Sequence, residues 1–142
     1  MRPFTTLSTL LLGASTTPLV SADSLPVPLL KRDYCDTLTK FSEGDARALQ
    51  SSLQSSNDDL TYVAAHQYHK WDWNSARVCV WNDYVFENTH VSPWEVGWAV
   101  GYIFDMCCSG NGGECTGGSA TAHGDSGLNL RIVLKSSGES CR

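Results

Sequence analysis

The most informative segment of this sequence is residues 92–108, SPWEVGWAVGYIFDMCC. It opens with a serine that can cap a helix, a proline suited to the first helical position and a glutamate three residues after the cap. We therefore predict a helix that begins at Ser92 and ends near Cys108. Because only Glu95 and Asp105 are charged, most of this helix is expected to be buried.

The apolar side chains of the predicted helix form two stripes. The aliphatic stripe holds Val96, Val100, Ile103 and Cys107, and the aromatic stripe holds Trp94, Trp98 and Tyr102. We expect the aliphatic stripe to face a sheet, with Gly97 and Gly101 allowing close approach to that sheet. The aromatic stripe is expected to pack against a second layer, formed by residues 35–53 or by the segment around Trp71 and Trp73. If it is exposed instead, it marks a partner surface.

Strand patterns lie on both sides of this helix. Residues 77–86 (RVCVWNDYVF) are rich in β-branched and aromatic side chains with apolar groups on both faces, which predicts a central strand covered on both sides. Residues 127–135 alternate, with Leu128, Leu130, Ile132 and Leu134 on one face, which predicts a half-buried strand. Residues 60–65 fit a short strand, and residues 109–127 are expected to form a glycine-rich loop.

A second helix is predicted earlier in the chain. Ser42 and Asp45 resemble a capping box, Ala46, Leu49 and Leu53 recur at helical spacing, and the polar run 55–59 ends the pattern. The predicted fold class is therefore α/β, a small α+β sandwich with about two helices packed on an antiparallel sheet. The alternative is an all-β sandwich in which residues 92–108 form the lone helix.

The N-terminal residues predict export from the cell. An apolar run from Leu7 to Gly13 and the pattern Val20-Ser21-Ala22 fit a signal peptide, residues 1–22. The run is too interrupted for a membrane anchor of roughly 20 apolar residues. Residues 23–32 fit a propeptide that ends in the dibasic pair Lys31-Arg32, a kexin-type site, although the pair could also be accidental in a mobile arm. The mature domain would then be residues 33–142.

Composition and charge narrow the possible partners. The 142 residues are 42% hydrophobic and 18% charged, which is typical of one globular domain. The formal charge of −5 becomes −7 in the predicted mature chain, which keeps seven basic and fourteen acidic residues. This charge argues against nucleic acid or an anionic membrane as the main partner, and we predict no membrane span.

Six cysteines in so short a secreted chain predict disulfides rather than a metal site, because no pair has the C-x2-C spacing of zinc ligands. Cys107 and Cys108 are adjacent on a helix, about 100° apart, so they must have different partners. We predict a disulfide between Cys108 and Cys115. Cys35, Cys79, Cys107 and Cys141 remain to tie the termini to the sheet and the helix, with their pairing open.

The order of these parts resembles that of the virally encoded fungal killer toxins and of the related extracellular necrosis-inducing effectors of plant-pathogenic fungi. The resemblance covers about Cys79 to Cys141: a strand with a cysteine, a helix that ends at cysteines, a glycine turn and a last strand before a C-terminal cysteine. The Cys107-Cys108 pair and the aromatic stripe depart from that pattern. The resemblance implies an α/β sandwich and a toxin-like or host-directed role, and it implies no catalytic residue.

Residues 66–73 (HQYHKWDW) concentrate polar and aromatic side chains. His66 and His69 could bind a metal together with Asp72, but we expect an exposed loop whose tryptophans pack on the sheet, with no metal and no cofactor. Trp71 and Trp73 could also stack on sugar rings, which would make the protein a carbohydrate- or wall-binding module.

An enzymatic alternative rests on two histidines. Tyr68-His69-Lys70 and Thr121-Ala122-His123 resemble segments of small fungal ribonucleases, with Glu87 or Glu95 as the base. The helix at 92–108 has no place in that fold, and the acidic charge would repel RNA. The string Gly124-Asp125-Ser126-Gly127 occurs around the nucleophile of trypsin-like proteases, but the chain is too short for that fold, and we predict a turn there.

The sequence therefore predicts a secreted, non-enzymatic effector or toxin that binds a protein or cell-surface component outside the producing cell. The candidate binding residues are His66, His69, Trp71, Trp73, Trp94, Trp98 and Tyr102.

Overall fold

The computed structural model describes residues 33–36 and 40–142. The predicted signal peptide (1–22) and propeptide (23–32) lie outside the described residues. In chain order the elements are β1 Tyr34–Cys35, β2 Phe41–Ser42, α1 Glu43–Ser55, β3 Thr61–Val63, β4 Tyr68–Trp73, β5 Ala76–Trp81, β6 Thr89–Val91, α2 Pro93–Cys107, β7 Glu114–Cys115, β8 Gly118–His123 and β9 Asn129–Ser136. The predicted α+β domain is confirmed, and the presence of α1 shows that the all-β alternative is wrong.

A five-stranded antiparallel sheet with the order β1-β8-β9-β5-β4 forms one layer. Both helices pack against it, with α1 against β4 and β5 and α2 against β8 and β9. In β5, an interior strand of this sheet, Val78 and Val80 join the core, while Cys79 on the other face is bonded to Cys141. All three side chains are fully buried, so the prediction of a strand covered on both sides is confirmed.

The predicted strand at 77–86 ends early, at Trp81, because the buried side chain of Asn82 redirects the chain. Its amide donates to the carbonyl oxygens of Val63 at 3.1 Å and Glu87 at 2.7 Å. Its oxygen accepts from the backbone N–H of Tyr84 at 3.1 Å. The apolar residues beyond Trp81 therefore lie in a turn rather than in the sheet.

Two segments predicted as loops are strands. Residues 68–73, expected in an exposed loop, form the edge strand β4, paired with β5 from Tyr68 opposite Trp81 to Trp73 opposite Ala76. The expected glycine loop 109–127 contains β8, which lies between β1 and β9. The small residues of β8 reflect packing rather than a loop, because a side chain at Gly118 would collide with the Tyr34 carbonyl oxygen and with the Cys107 sulfur.

Both helices begin where the sequence predicts. The Ser42 hydroxyl accepts from the backbone N–H of Asp45 at 3.4 Å, and the Ser92 hydroxyl accepts from that of Trp94 at 3.2 Å. The aliphatic stripe of α2 is buried as predicted. Gly97 and Gly101, however, face α1 and not the sheet: a Cβ at Gly97 would lie 2.8 Å from Cγ of Gln54.

The carboxylate of Asp45 fastens α1 to the turn between β4 and β5. It accepts from the backbone N–H and the hydroxyl of Ser75, and from the side-chain amide of Asn74 at 3.1 Å. These hydrogen bonds, that of the Ser75 hydroxyl first, hold the pKa of Asp45 below its usual value because they favour the charged form.

All six cysteines form disulfides: Cys35–Cys107, Cys79–Cys141 and Cys108–Cys115. The predicted Cys108–Cys115 bond is confirmed, and so is the expectation that Cys107 and Cys108 have different partners. The other two bonds connect β1 to the end of α2 and the C-terminal segment to β5. None of the described helices is long and apolar enough to cross a membrane.

Candidate functional site

The aromatic stripe of α2 lies in solvent. Trp94 is 51% exposed, Trp98 50% and Tyr102 42%. The expectation that this stripe packs against residues 35–53 or against the Trp71 and Trp73 segment is therefore wrong. Met106, four residues beyond Tyr102, is 40% exposed and continues the stripe toward the end of the helix.

The layer arrangement explains this exposure. The sheet contacts one side of α2, and α1 contacts the side that carries Gly97 and Gly101. The aromatic stripe lies on the remaining side, where its side chains are about half exposed. Large side chains that are half in water on an otherwise buried helix form the kind of apolar patch that marks an interaction surface.

Within the stripe, two rings are aligned with each other. The rings of Trp98 and Tyr102 have centroids 6.0 Å apart and planes that differ by only 10°. This alignment follows from their spacing, since residues four apart lie one above the other on a helix face. The two parallel rings lie beside the seam between the two helices.

A groove of about 380 Å³ runs along this seam. It is lined by Gln50 and Gln54 from α1 and by Trp98, Gly101, Tyr102 and Asp105 from α2. The side-chain amide of Gln50 packs directly on Gly101, where a Cβ would collide with it. The volume lies at the lower end of the range of small-molecule sites, about 300–1,000 Å³.

The polar groups of the groove have few partners of their own. The amides of Gln50 and Gln54 are joined by one hydrogen bond of 3.5 Å, which is long and weak. Asp105 lies 3.7 Å from a guanidinium nitrogen of Arg47, whose guanidinium also sits over the ring of Phe104. Within residues 33–36 and 40–142, the Tyr102 hydroxyl and the Trp98 indole N–H have no hydrogen-bond partner. The groove therefore combines aromatic faces with available donors and acceptors.

The predicted site at residues 66–73 is spread over a turn and an edge strand. His66 lies in the turn before β4 with a φ of 57°, and His69 on β4 has its ring centroid 4.4 Å from that of Trp71. Burial lowers the pKa of His69. Trp71 is half-buried against the core, and Trp73 is 43% exposed. Among the described residues, no group of three or more His, Cys, Asp or Glu side chains could hold a metal ion.

The two histidines of the ribonuclease-like alternative are not brought together. His69 lies on β4 and His123 on β8, with β5 and β9 between them in the sheet. Three inter-strand spacings amount to about 14 Å, too far for both to act on one bond. Glu95 lies 3.6 Å from Nδ1 of His123, and Glu87 contributes its backbone carbonyl to the Asn82 turn.

Residues 124–127 form the predicted turn before β9, closed by a 3.0 Å hydrogen bond from the Gly127 N–H to the Gly124 carbonyl. The carboxylate of Asp125 accepts from the backbone N–H of His90 at 2.9 Å and from the Thr89 hydroxyl at 3.1 Å. These hydrogen bonds, that of His90 first, lower the pKa of Asp125. The carboxylate thus fastens the turn to β6.

Sequence reasoning missed Gln50, Gln54, Asp105 and Met106 as members of the candidate site. Two glutamines on the polar side of a helix carry no recognisable signal. Met106 did carry a signal, because it continues the four-residue spacing of the aromatic stripe.

No protein-family model and no curated protein matches this chain. The relationship to killer toxins and necrosis-inducing effectors therefore stays a prediction, based on the order of β5, α2 and β9 and on the cysteines they carry.

Proposed function

We propose that this chain is a secreted protein that acts without catalysis, by binding a target outside the producing cell through the aromatic stripe of α2. The observation that carries the proposal is the exposure of Trp94, Trp98 and Tyr102 on a helix whose other sides are buried. A sequence selected for stability alone would place polar side chains at such positions.

The chemistry of the stripe suits recognition. Tryptophan and tyrosine are enriched among the residues that contribute most to binding, because they bury a large area at a small cost in conformational entropy. Each of the three side chains leaves about half of its surface in water. Burying these exposed surfaces against a partner therefore contributes favourable hydrophobic free energy to binding.

The disulfides support an extracellular site of action. Three bonds that use every cysteine are typical of proteins from oxidising compartments. The predicted signal peptide and dibasic site agree with this assignment, and the resemblance to killer toxins and effectors adds a role against a host or a competitor.

A ribonuclease-like hydrolase gains no support from the geometry, because His69 and His123 lie on strands separated by two others. The charge of −7 in the predicted mature chain also disfavours an RNA substrate.

The test is a response assay with the oxidised protein, purified from the medium of a secreting host and applied to plant tissue and to competitor fungi. We expect necrosis or growth inhibition that is lost in Trp98→Ala and in the reduced protein. Trp73→Ala is the matched control, since Trp73 is 43% exposed on the far edge of the sheet. Full activity of a folded Trp98→Ala variant, or equal loss in Trp73→Ala, would overturn the proposal.

A further inference from the structure

We propose that the groove beside Trp98 and Tyr102 binds a neutral β-1,4-linked glucan, a chain of pyranose rings whose substituents are all equatorial. This inference rests on the proposed function, because it names the ligand class of the same surface. It differs from the sugar site considered at Trp71 and Trp73, which lies on β4 rather than on α2.

The aromatic rings supply a surface for stacking. In an all-equatorial pyranose the axial C–H groups point to the two faces of the ring, so both faces are apolar and carry a slight positive charge. The face of an aromatic ring is negative, and the two surfaces attract each other. Trp98 and Tyr102 are each about half exposed beside the groove, and both offer aromatic surface on which such a sugar ring can stack.

The polar groups of the groove match the edges of such a chain. Equatorial hydroxyls project sideways from the ring, and each needs both a donor and an acceptor. The amides of Gln50 and Gln54 supply both, and the carboxylate of Asp105 adds a strong acceptor. Their own contacts, at 3.5 Å between the amides and 3.7 Å between Asp105 and Arg47, are weak enough to be replaced.

Other ligands fit this groove less well. An apolar protein surface would bury the two amides and the carboxylate without partners, which is costly. A phosphate or acidic ligand would face Asp105 and the overall negative charge. The described lining of the groove contains no basic side chain, and the nearby Arg47 lies against Phe104 and Asp105. A neutral, hydroxyl-rich ligand satisfies the groove without these penalties.

The experiment is a calorimetric and NMR titration of the oxidised protein with cellohexaose. Maltohexaose, which is α-linked, and chitohexaose, which carries acetamido groups, serve as comparison ligands. We expect cellohexaose to bind and to shift the indole N–H resonance of Trp98, with maltohexaose giving no shift. Trp98→Ala should weaken binding about tenfold or more. Phe86→Ala, which removes a 91% exposed aromatic side chain between β5 and β6, should leave it within about twofold.

A smaller change tests the polar part of the site. Gln54→Ala removes one amide and leaves both rings, and we expect it to weaken cellohexaose binding about threefold or more. Since the shift of Trp98 is read in the unmodified protein, a variant that fails to fold does not remove the test.

The outcomes separate this inference from the proposed function. Absence of cellohexaose binding, binding that Trp98→Ala leaves unchanged, or tighter binding of chitohexaose or maltohexaose would overturn the glucan assignment. If the Trp98-dependent response on living cells persists in those cases, the proposed function stands with another ligand. If cellohexaose binds through Trp98 and no cell responds, the proposed function fails and the glucan site remains.

Discussion

The contact between α1 and α2 at two glycines yields a pair of variants with opposite expected effects. Alanine at Gly97 would place a Cβ 2.8 Å from Gln54 Cγ, 3.0 Å from Leu53 Cβ and 3.2 Å from the Gln50 carbonyl oxygen. Ordinary contacts of this kind lie at 3.4–4 Å. Since the neighbours include backbone and a Cβ, the two helices must separate by several tenths of an ångström.

Alanine at Gly101 meets a different neighbour. The atoms nearest to its Cβ all belong to the side-chain amide of Gln50, which can rotate away into solvent. Gly101→Ala therefore breaks at most the 3.5 Å hydrogen bond between the side chains of Gln50 and Gln54.

Two opposing effects determine how much each alanine changes the free energy of unfolding. Overpacking costs about 1–3 kcal/mol, and replacing glycine by alanine inside a helix gains about 1 kcal/mol. Gly97→Ala should therefore lower the free energy of unfolding by about 1 kcal/mol, and Gly101→Ala should leave it unchanged or raise it by up to about 1 kcal/mol. For a domain of this size, 1 kcal/mol corresponds to a Tm change of about 4 °C or somewhat more.

Urea unfolding of the oxidised proteins, followed by circular dichroism, measures this difference. We expect the order Gly101→Ala, unmodified protein, Gly97→Ala from most to least stable. If Gly97→Ala were as stable as Gly101→Ala, the close approach of α1 to α2 would be refuted, and with it the position of the groove.

Three further predictions concern the disulfides, the acid range and the exposed helix face. Replacing Cys108 and Cys115 opens a loop of seven residues and should lower the free energy of unfolding by about 2 kcal/mol. Replacing Cys79 and Cys141, whose bond spans 62 residues, should lower it by about 4 kcal/mol because a longer loop gains more entropy when opened. Equal losses of the two double variants in urea unfolding would contradict this entropic account. The lowered pKa of Asp45 gives stability that is present above its unfolded value near 4 and is lost as the pH falls through the folded value. Asp45→Asn should therefore flatten the Tm profile below about pH 4, and an unchanged acid slope would contradict this. Ile103→Ala, at a fully buried site, should cost about 2–5 kcal/mol. Trp98→Ala should cost no more than about 2 kcal/mol because half of the side chain is already in water, and equal losses in thermal unfolding would place Trp98 in the core.

The sequence predicts correctly the helices and strands that are specified by residues close to one another in the chain. The cap at Ser92, the cap at Ser42 and the alternation before Leu134 each specify a helix start or a strand without reference to the rest of the chain. The Cys108–Cys115 bond was predictable for the same reason, because the two residues are seven apart across a turn.

Two strands have the composition of loops because their residues suit neighbours that the sequence does not reveal. In β8, glycine and other small residues are needed where Tyr34 and Cys107 approach closely, so the segment carries few of the side chains that favour strands. In β4, aromatic residues alternate with polar ones at an edge of the sheet. That alternation is a usable strand signal, although the many polar side chains also fit an exposed loop.

The exposure of the aromatic stripe depends on how many layers the domain has. The hydrophobicity of Trp98 and Tyr102 favours their burial, and both would be buried if a further layer of structure covered α2. The helix layer instead ends at α2, and α1 occupies the side with Gly97. Gln50 and Gln54 enter the site only through this contact between helices, which is why sequence reasoning could not include them.

The measurement that bears most directly on the role of α2 is a binding isotherm of fluorescently labelled, oxidised protein on intact plant and fungal cells. The unmodified protein, Trp98→Ala and the matched control Trp73→Ala are compared after thermal unfolding has shown that all three are folded. We predict saturable binding to at least one of the two cell types, weakened about tenfold or more by Trp98→Ala and changed by less than about twofold by Trp73→Ala. Equal affinities of the unmodified protein and Trp98→Ala would contradict the assignment of the aromatic stripe as the binding surface.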